Sequence, residues 1–179
     1  MNVLIVLMIA VLFILVPLTV WFAIMSLSIL SSAPWVPTDR HVARKMCEIA
    51  NIKEGDHVLD LGCGDASILI VAGKEFGATC VGVELNPAVV LLARVRVRLA
   101  KLQDRVQIIR GNMYSVPLPD VDIAMLYLLP KGTKKVEDRL KERFKHLKVV
   151  SHGFQLSSPE RSNEQVEGPG KATVRLYEW

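Results

Sequence analysis

The residues best equipped for chemistry are Asp60-Leu61-Gly62-Cys63-Gly64-Asp65, followed 24 positions after Asp60 by Glu84-Leu85-Asn86. An apolar run, Val58 to Leu61, leads into the glycines, and a second, Thr79 to Val83, leads into Glu84. A strand, a glycine turn and a helix build a nucleotide crevice at the carboxyl end of a parallel sheet. Gly62 and Gly64 present main chain without a Cβ, so a ligand can approach it closely. Glu84, ending the second strand, is placed to accept both hydroxyls of a ribose.

The charge of the turn selects among nucleotides. A dinucleotide would lay its pyrophosphate here and would want a third glycine where Ser67 stands. A phosphate about 4–5 Å from Asp60 or Asp65 would meet about 3–4 kcal/mol of repulsion at an effective dielectric near 20. S-adenosylmethionine has no phosphate, and its sulfonium and ammonium are drawn to the same carboxylates. It is the expected cofactor.

Alternating strands and helices must position these residues. Thr38 is expected to cap a helix running to about Ala50, with Val42, Met46 and Ile49 on one face. Helices are expected over Asp65–Glu75, Pro87–Lys101 and Lys134–Leu147. The last carries Val136, Leu140, Phe144 and Leu147 on one face. Strands are expected at His57–Leu61, Thr79–Val83, Val106–Ile109, Val121–Leu126, Lys148–Ser151 and Ala172–Tyr177. The polar stretch Ser157–Gly170 reads as a loop. This is an α/β domain with a mostly parallel, Rossmann-like sheet.

The chain has 179 residues and a net charge of +4, and all its charge follows residue 38. Of the first 38 residues, 28 are apolar. Val3–Leu30 would form a helix of about 42 Å, longer than the ~30 Å hydrocarbon core of a bilayer. No basic residue precedes it, and it far exceeds the h-region of a signal peptide. The expected organisation is a transmembrane anchor over 1–32 and one catalytic domain over 33–179. The anchor would contact membrane lipid. Arg40, Arg44, Lys45 and Lys53 follow it, which places the domain on the cytoplasmic side, or in the mitochondrial matrix of a eukaryote. Cys47, Cys63 and Cys80 lack C-x-x-C spacing and a nearby histidine, so they read as buried thiols, and no metal is expected.

The D-x-G-x-G-D turn with V-E-L-N resembles the donor core of class I, seven-strand S-adenosylmethionine-dependent methyltransferases. Pro34-Trp35-Val36-Pro37-Thr38, Gly111-Asn112-Met113-Tyr114 and Val150-Ser151-His152-Gly153-Phe154 narrow the likeness. They resemble the small archaeal protein-lysine methyltransferases and the related membrane-anchored lysine methyltransferases of mitochondria. The likeness runs from about Pro34 to the C-terminus. It implies methyl transfer to lysine ε-amines of proteins; with the anchor upstream, the expected partner is a protein with exposed, membrane-proximal lysines. The donor residues it implies are Asp60, Gly62, Gly64, Asp65, Glu84, Leu85, Asn86, Asn112 and Met113. Tyr127 and Trp35 are the candidates on the acceptor side.

Several residues depart from the pattern or carry a second reading. Ala66 stands where a third glycine is usual. Asn112 replaces an acidic reader of adenine, its side-chain carbonyl taking the same hydrogen bond. Asp65 could serve only the helix start, Trp35 a membrane interface, and His152 a satisfied strand end. Tyr127-Leu128-Leu129-Pro130 replaces the Asn/Asp-Pro-Pro-Tyr signature of enzymes acting on base amino groups. Lys131–Lys148 has eight basic and three acidic residues with a single Phe, Phe144, which falls on the apolar face, so nucleic acid is not an expected partner. The competing functions are an RNA or small-molecule methyltransferase and a silent donor-binding scaffold on the membrane.

Overall fold

The computed structural model describes residues 3–30, 36–159, 161–166 and 172–179. The chain divides into two units, Met1–Pro34 and Trp35–Trp179.

The first unit is one helix, α1, Val3–Leu30. Its window Ile5–Phe22 has mean hydropathy 2.9 and is exposed on every side, so by length and composition it can cross a membrane. Pro17 lies within it without ending it. The Thr19 hydroxyl donates to the carbonyls of Leu15 and Val16, both at 2.9 Å, so its polar group is satisfied inside the helix. That is the condition for a hydroxyl in hydrocarbon.

The second unit runs α2 (Arg40–Ile49), β1 (His57–Leu61), α3 (Ser67–Glu75), β2 (Thr79–Glu84), α4 (Pro87–Leu99) and β3 (Val106–Arg110). It continues with β4 (Ile123–Leu126), α5 (Pro130–Arg143), β5 (Lys148–His152), β6 (Ser162–Val166) and β7 (Ala172–Glu178). The sheet order is β3-β2-β1-β4-β5-β7-β6. The first five strands in this order pair in parallel, and β7 pairs antiparallel with both β5 and β6. Strand order reverses between β1 and β4. Right-handed crossovers therefore put α3 and α4 on one face and α5 on the other. The carboxyl ends of β1 and β4 frame the switch-point crevice.

The core on the first face joins Ala43, Met46 and Cys47 of α2 to Leu69 and Ala72 of α3, Val90 and Ala93 of α4, and Val58 and Val150 of the sheet. All three cysteines are buried and free. The α2 cap falls on Asp39, whose Oδ1 accepts from His41 N at 2.7 Å, one residue beyond the expected Thr38.

Two expectations are corrected. α5 starts at Pro130 rather than Lys134, because proline is preorganised for a first helical turn. It ends at Arg143 because Phe144 is extended, at φ −120°, ψ 126°, although Phe144 and Leu147 are buried as expected. The stretch expected as a loop holds β6, paired from Ser162↔Leu176 to Val166↔Ala172. An edge strand held by main-chain bonds needs no apolar alternation, and Ser-Asn-Glu-Gln offers none.

Candidate active site

The β1–α3 turn is held against β2 from below. The N–H groups of Gly62 and Cys63 both donate to the Val83 carbonyl, at 2.8 and 3.0 Å. Gly62 has φ +87°, and a Cβ there would sit 3.0 Å from Leu128 Cδ2 and 3.7 Å from Met113 Sδ. The turn thus lies under the tips of Leu128 and Met113, and its positive φ disfavours a side chain there. Gly82 of β2 allows the approach: its Cβ would fall 2.6 Å from Leu69 and 2.7 Å from Cys63 Sγ.

Two carboxylates meet at this turn. Asp60 is 2% exposed, and its Oδ2 is buried without a hydrogen-bond partner among the described residues. Burial, then the nearby Glu84, push its pKa up to about 8. Glu84 is half-buried, its Oε2 accepting from Gly64 N at 3.2 Å and its Oε1 from Asn86 N at 2.8 Å. Burial, then these same two carboxylates, also push the Cys63 thiol well up, so it stays a neutral wall of the turn. An orphaned buried carboxylate oxygen beside a Cβ-free cradle fits a small cationic ligand end better than a phosphate.

The structure brings together Asp60, Gly62, Gly64, Glu84 and Met113. Leu85 follows Glu84 and is 47% exposed. Asn86 is drawn into the α4 cap, its Oδ1 accepting from Ala88 N at 2.9 Å. Asp65 takes the helix-start role: Oδ1 accepts from Ser67 N at 3.3 Å and from Ser67 Oγ at 2.8 Å, and Oδ2 pairs with Arg96. The Asn112 side-chain carbonyl accepts from Tyr114 N at 2.9 Å, leaving one lone pair for a second donor. Trp35 lies outside the described residues.

On the other side of the switch point, Asp60 is level with Met125 and Leu126 with Ser151. Gly62 and Tyr127, each one residue past its strand, and His152, the last residue of β5, therefore lie at the ends of three neighbouring strands. The Tyr127 and His152 rings stack, with centroids 4.1 Å apart and planes at 41°. His152 is 7% exposed, yet its Nδ1 has no partner among the described residues. Burial lowers its pKa, so the ring is neutral at pH 7.

Sequence reasoning missed the residues that brace this arrangement. Arg139 of α5 donates to the Met113 carbonyl at 2.5 Å and also to that of Val116. Glu137, 1% exposed, binds Ser157 N at 2.7 Å, Ser158 N at 2.9 Å and Lys141 Nζ at 2.9 Å. Both lie in a helix whose charges read as a solvated face. Gly82 had a signal: a glycine inside an apolar strand marks a close approach.

A model of the ANTKMT methyltransferase domain matches residues 60–163. The chain belongs to this family. A protein-lysine N-methyltransferase of Saccharolobus islandicus is 32% identical over 84% of this chain and 96% of its own length. A human lysine N-methyltransferase of an ATP synthase subunit is 25% identical over 81% of this chain, which spans 61% of that relative. The crystal structure of an RNA methyltransferase from Salinibacter ruber in complex with S-adenosyl-L-homocysteine superposes with a TM-score of 0.75 and 32% identity, over 80% of this chain and 93% of that one. S-adenosylmethionine is the methyl donor of this ANTKMT-family enzyme. Its sheet is mostly parallel, as expected, and β6 brings the six strands read from the sequence to seven.

Ala66 is the residue in which this ANTKMT-family turn departs from glycine, and it adopts φ +64°. An L-residue there costs about 1–2 kcal/mol. Glycine would relieve that cost and give back about 0.4–1 kcal/mol in unfolded-chain entropy. Ala66 is fully buried, and losing its methyl costs about 0.8 kcal/mol, so Ala66→Gly is expected to leave stability within about 1 kcal/mol of wild type. Urea denaturation checks it. A loss clearly beyond that would show that the turn is not strained at Ala66.

Proposed function

We propose that the chain is a protein-lysine N-methyltransferase held at a membrane by α1. The observation that carries the acceptor is the Tyr127–His152 pair, uncharged on its histidine side and one strand from the donor turn. Two lysine methyltransferases among the relatives support it. The domain bounds proposed are 1–32 for the anchor and 33–179 for the enzyme, with the basic residues after α1 favouring the cytoplasmic or matrix side.

In the donor cup, Glu84 is proposed to accept the ribose hydroxyls, with its carboxylate already oriented by Gly64 and Asn86. Asp60 faces the cationic amino-acid end, Leu85 and Met113 flank the base, and Asn112 accepts from its amino group. Asp65 holds the turn through Ser67 and Arg96. Bound there, S-adenosylmethionine supplies a methyl group on a sulfonium, open to in-line attack. The chain's own task is placement. A lysine amine attacks only when neutral, and its free pKa is about 10.4. A desolvated mouth beside a neutral His152 disfavours the ammonium, and Tyr127 Oη and His152 Nδ1 orient the nitrogen.

Tyr127→Phe removes one orienting hydrogen bond, of about 1.4 kcal/mol, and is expected to lower kcat on a lysine peptide about ten-fold. Donor Kd should stay at the wild-type value. An unchanged kcat would remove Tyr127 from the site.

The structural relative described as an RNA methyltransferase supports a second reading at the same 32% identity. Full-length enzyme, labelled donor and whole lysate separate the two. Label that resists ribonuclease and is lost on proteolysis supports lysine transfer; the reverse supports RNA. An anchored enzyme should label membrane proteins in preference to soluble ones, because tethering raises their effective concentration.

A further inference from the structure

We infer that the outer face of α4 is a lipid-docking surface for an anionic bilayer, beyond any contact made by α1. α4 buries Val89, Val90, Ala93 and Val97 against the sheet. A surface helix with that inner face is normally polar outside. Here the outer face carries Leu91, Val95 and Leu99, which are 65%, 46% and 78% exposed. Their spacing of four places them in one stripe, and Leu92, 37% exposed, widens it. Isolated exposed leucines are ordinary, but a contiguous stripe marks an interaction site.

The charges beside the stripe choose the occupant. α4 contains three arginines and no acidic residue. On a 100° wheel Arg94 and Arg98 border the stripe on one side and Arg96 on the other. The Arg94 guanidinium rests on the Ile108 carbonyl at 3.0 Å, and Arg96 pairs with Asp65, so both stand fixed at the margins. Arg98 is exposed, and Lys101 extends the basic margin past the helix end. A second copy packed face to face would set these margins against each other, like charge on like. An anionic headgroup layer neutralises Arg94, Arg98 and Lys101, Arg96 being already paired with Asp65, while the leucines enter the acyl boundary, the division of labour of an interfacial helix.

The test uses the full chain with Val95→Cys carrying an environment-sensitive fluorophore, since Cys47, Cys63 and Cys80 are buried. Lys145→Cys, after α5 on the opposite face, is the control site. The protein is added to vesicles of phosphatidylcholine with or without phosphatidylserine, with brominated lipid as quencher. Co-sedimentation reports attachment through α1; emission at position 95 reports α4, so the two fail separately. The expected result is a blue shift and quenching at 95 but not at 145, only with phosphatidylserine. Arg98→Glu should reduce the phosphatidylserine dependence about ten-fold. Unshifted emission at 95 in pelleted protein would overturn the inference. So would a shift that grows with protein concentration in lipid-free detergent, which would assign the stripe to a second copy.

Discussion

Glu84→Ala is expected to weaken S-adenosylmethionine binding by about 30–150-fold, the roughly 2–3 kcal/mol lost when hydrogen bonds to a charged group are removed. The alanine leaves β2 intact, so the protein should remain folded and the loss should appear in calorimetry as affinity alone. Asp60 contributes differently. Its pKa near 8 means that the donor-free site holds a proton at neutral pH. A cationic donor favours the ionised form, so binding releases that proton, and affinity rises with pH up to about 8 before levelling. Asp60→Asn should bind weakly and lose that slope. The same raised pKa makes Asp60 a cost to the empty fold. An acid whose folded pKa lies above its unfolded value of about 3.9 loses stability as pH rises from there to 8. The asparagine protein should therefore melt higher than wild type at pH 8, by about 2–4 °C per kcal/mol removed. Wild-type donor affinity in both variants would remove these carboxylates from the cup.

The second large effect lies in α5. Glu137→Ala is expected to destabilise the domain by about 3–5 kcal/mol, the scale for breaking a buried charged network by removing one partner. Burial alone would raise the Glu137 pKa, but Lys141, Ser157 and Ser158 together hold it at about 2. Its folded pKa is thus below the ordinary value of 4.5, and its contribution is full above that value and lost as pH falls toward 2. The wild-type protein should lose stability over that window, and Glu137→Gln should lose less there. Glu137 acts through the segment it ties down. Ser157 and Ser158 follow Gly153, against which Tyr127 packs: a Cβ on Gly153 would meet Tyr127 Cε2 at 3.7 Å. In the glutamine variant, methyl transfer should fall while donor Kd holds. Chemical denaturation and donor titration on the same preparations measure both effects.

The turn proposed to hold the donor was legible because its requirements are local. A turn under a ligand needs Gly62 and Gly64, and a strand end beside it needs a carboxylate, so Asp60 and Glu84 stand at fixed positions in the chain. β1 to β5 were legible because buried parallel strands are written as apolar runs, and β7 by its alternation. β6 was not, since main-chain pairing to β7 holds it. The bracing was illegible for another reason. Glu137 and Arg139 carry the same letters as exposed helix charges, and only the packed structure shows the carbonyls and amides they reach. Asp65 shows the limit from the other side: its spacing allowed both a ligand contact and a helix start, and its carboxylate pairs with Arg96, 31 residues away. His152 was read as structural because a strand-end histidine ordinarily finds a partner. Its unpartnered Nδ1 next to Tyr127 is visible only in three dimensions.

The most direct measurement is the chemical identity of the methylated group. Full-length enzyme is incubated with methyl-labelled S-adenosylmethionine and two peptides of equal charge, one with lysine and one with arginine at the same positions, together with total RNA. Each product is hydrolysed to its monomers. The expected result is label in ε-N-methyllysine from the lysine peptide, rising with pH as the amine deprotonates, and absent with Glu84→Ala. Label in methylated nucleosides with none in lysine, or equal label from the Glu84→Ala protein, would contradict lysine transfer at this site.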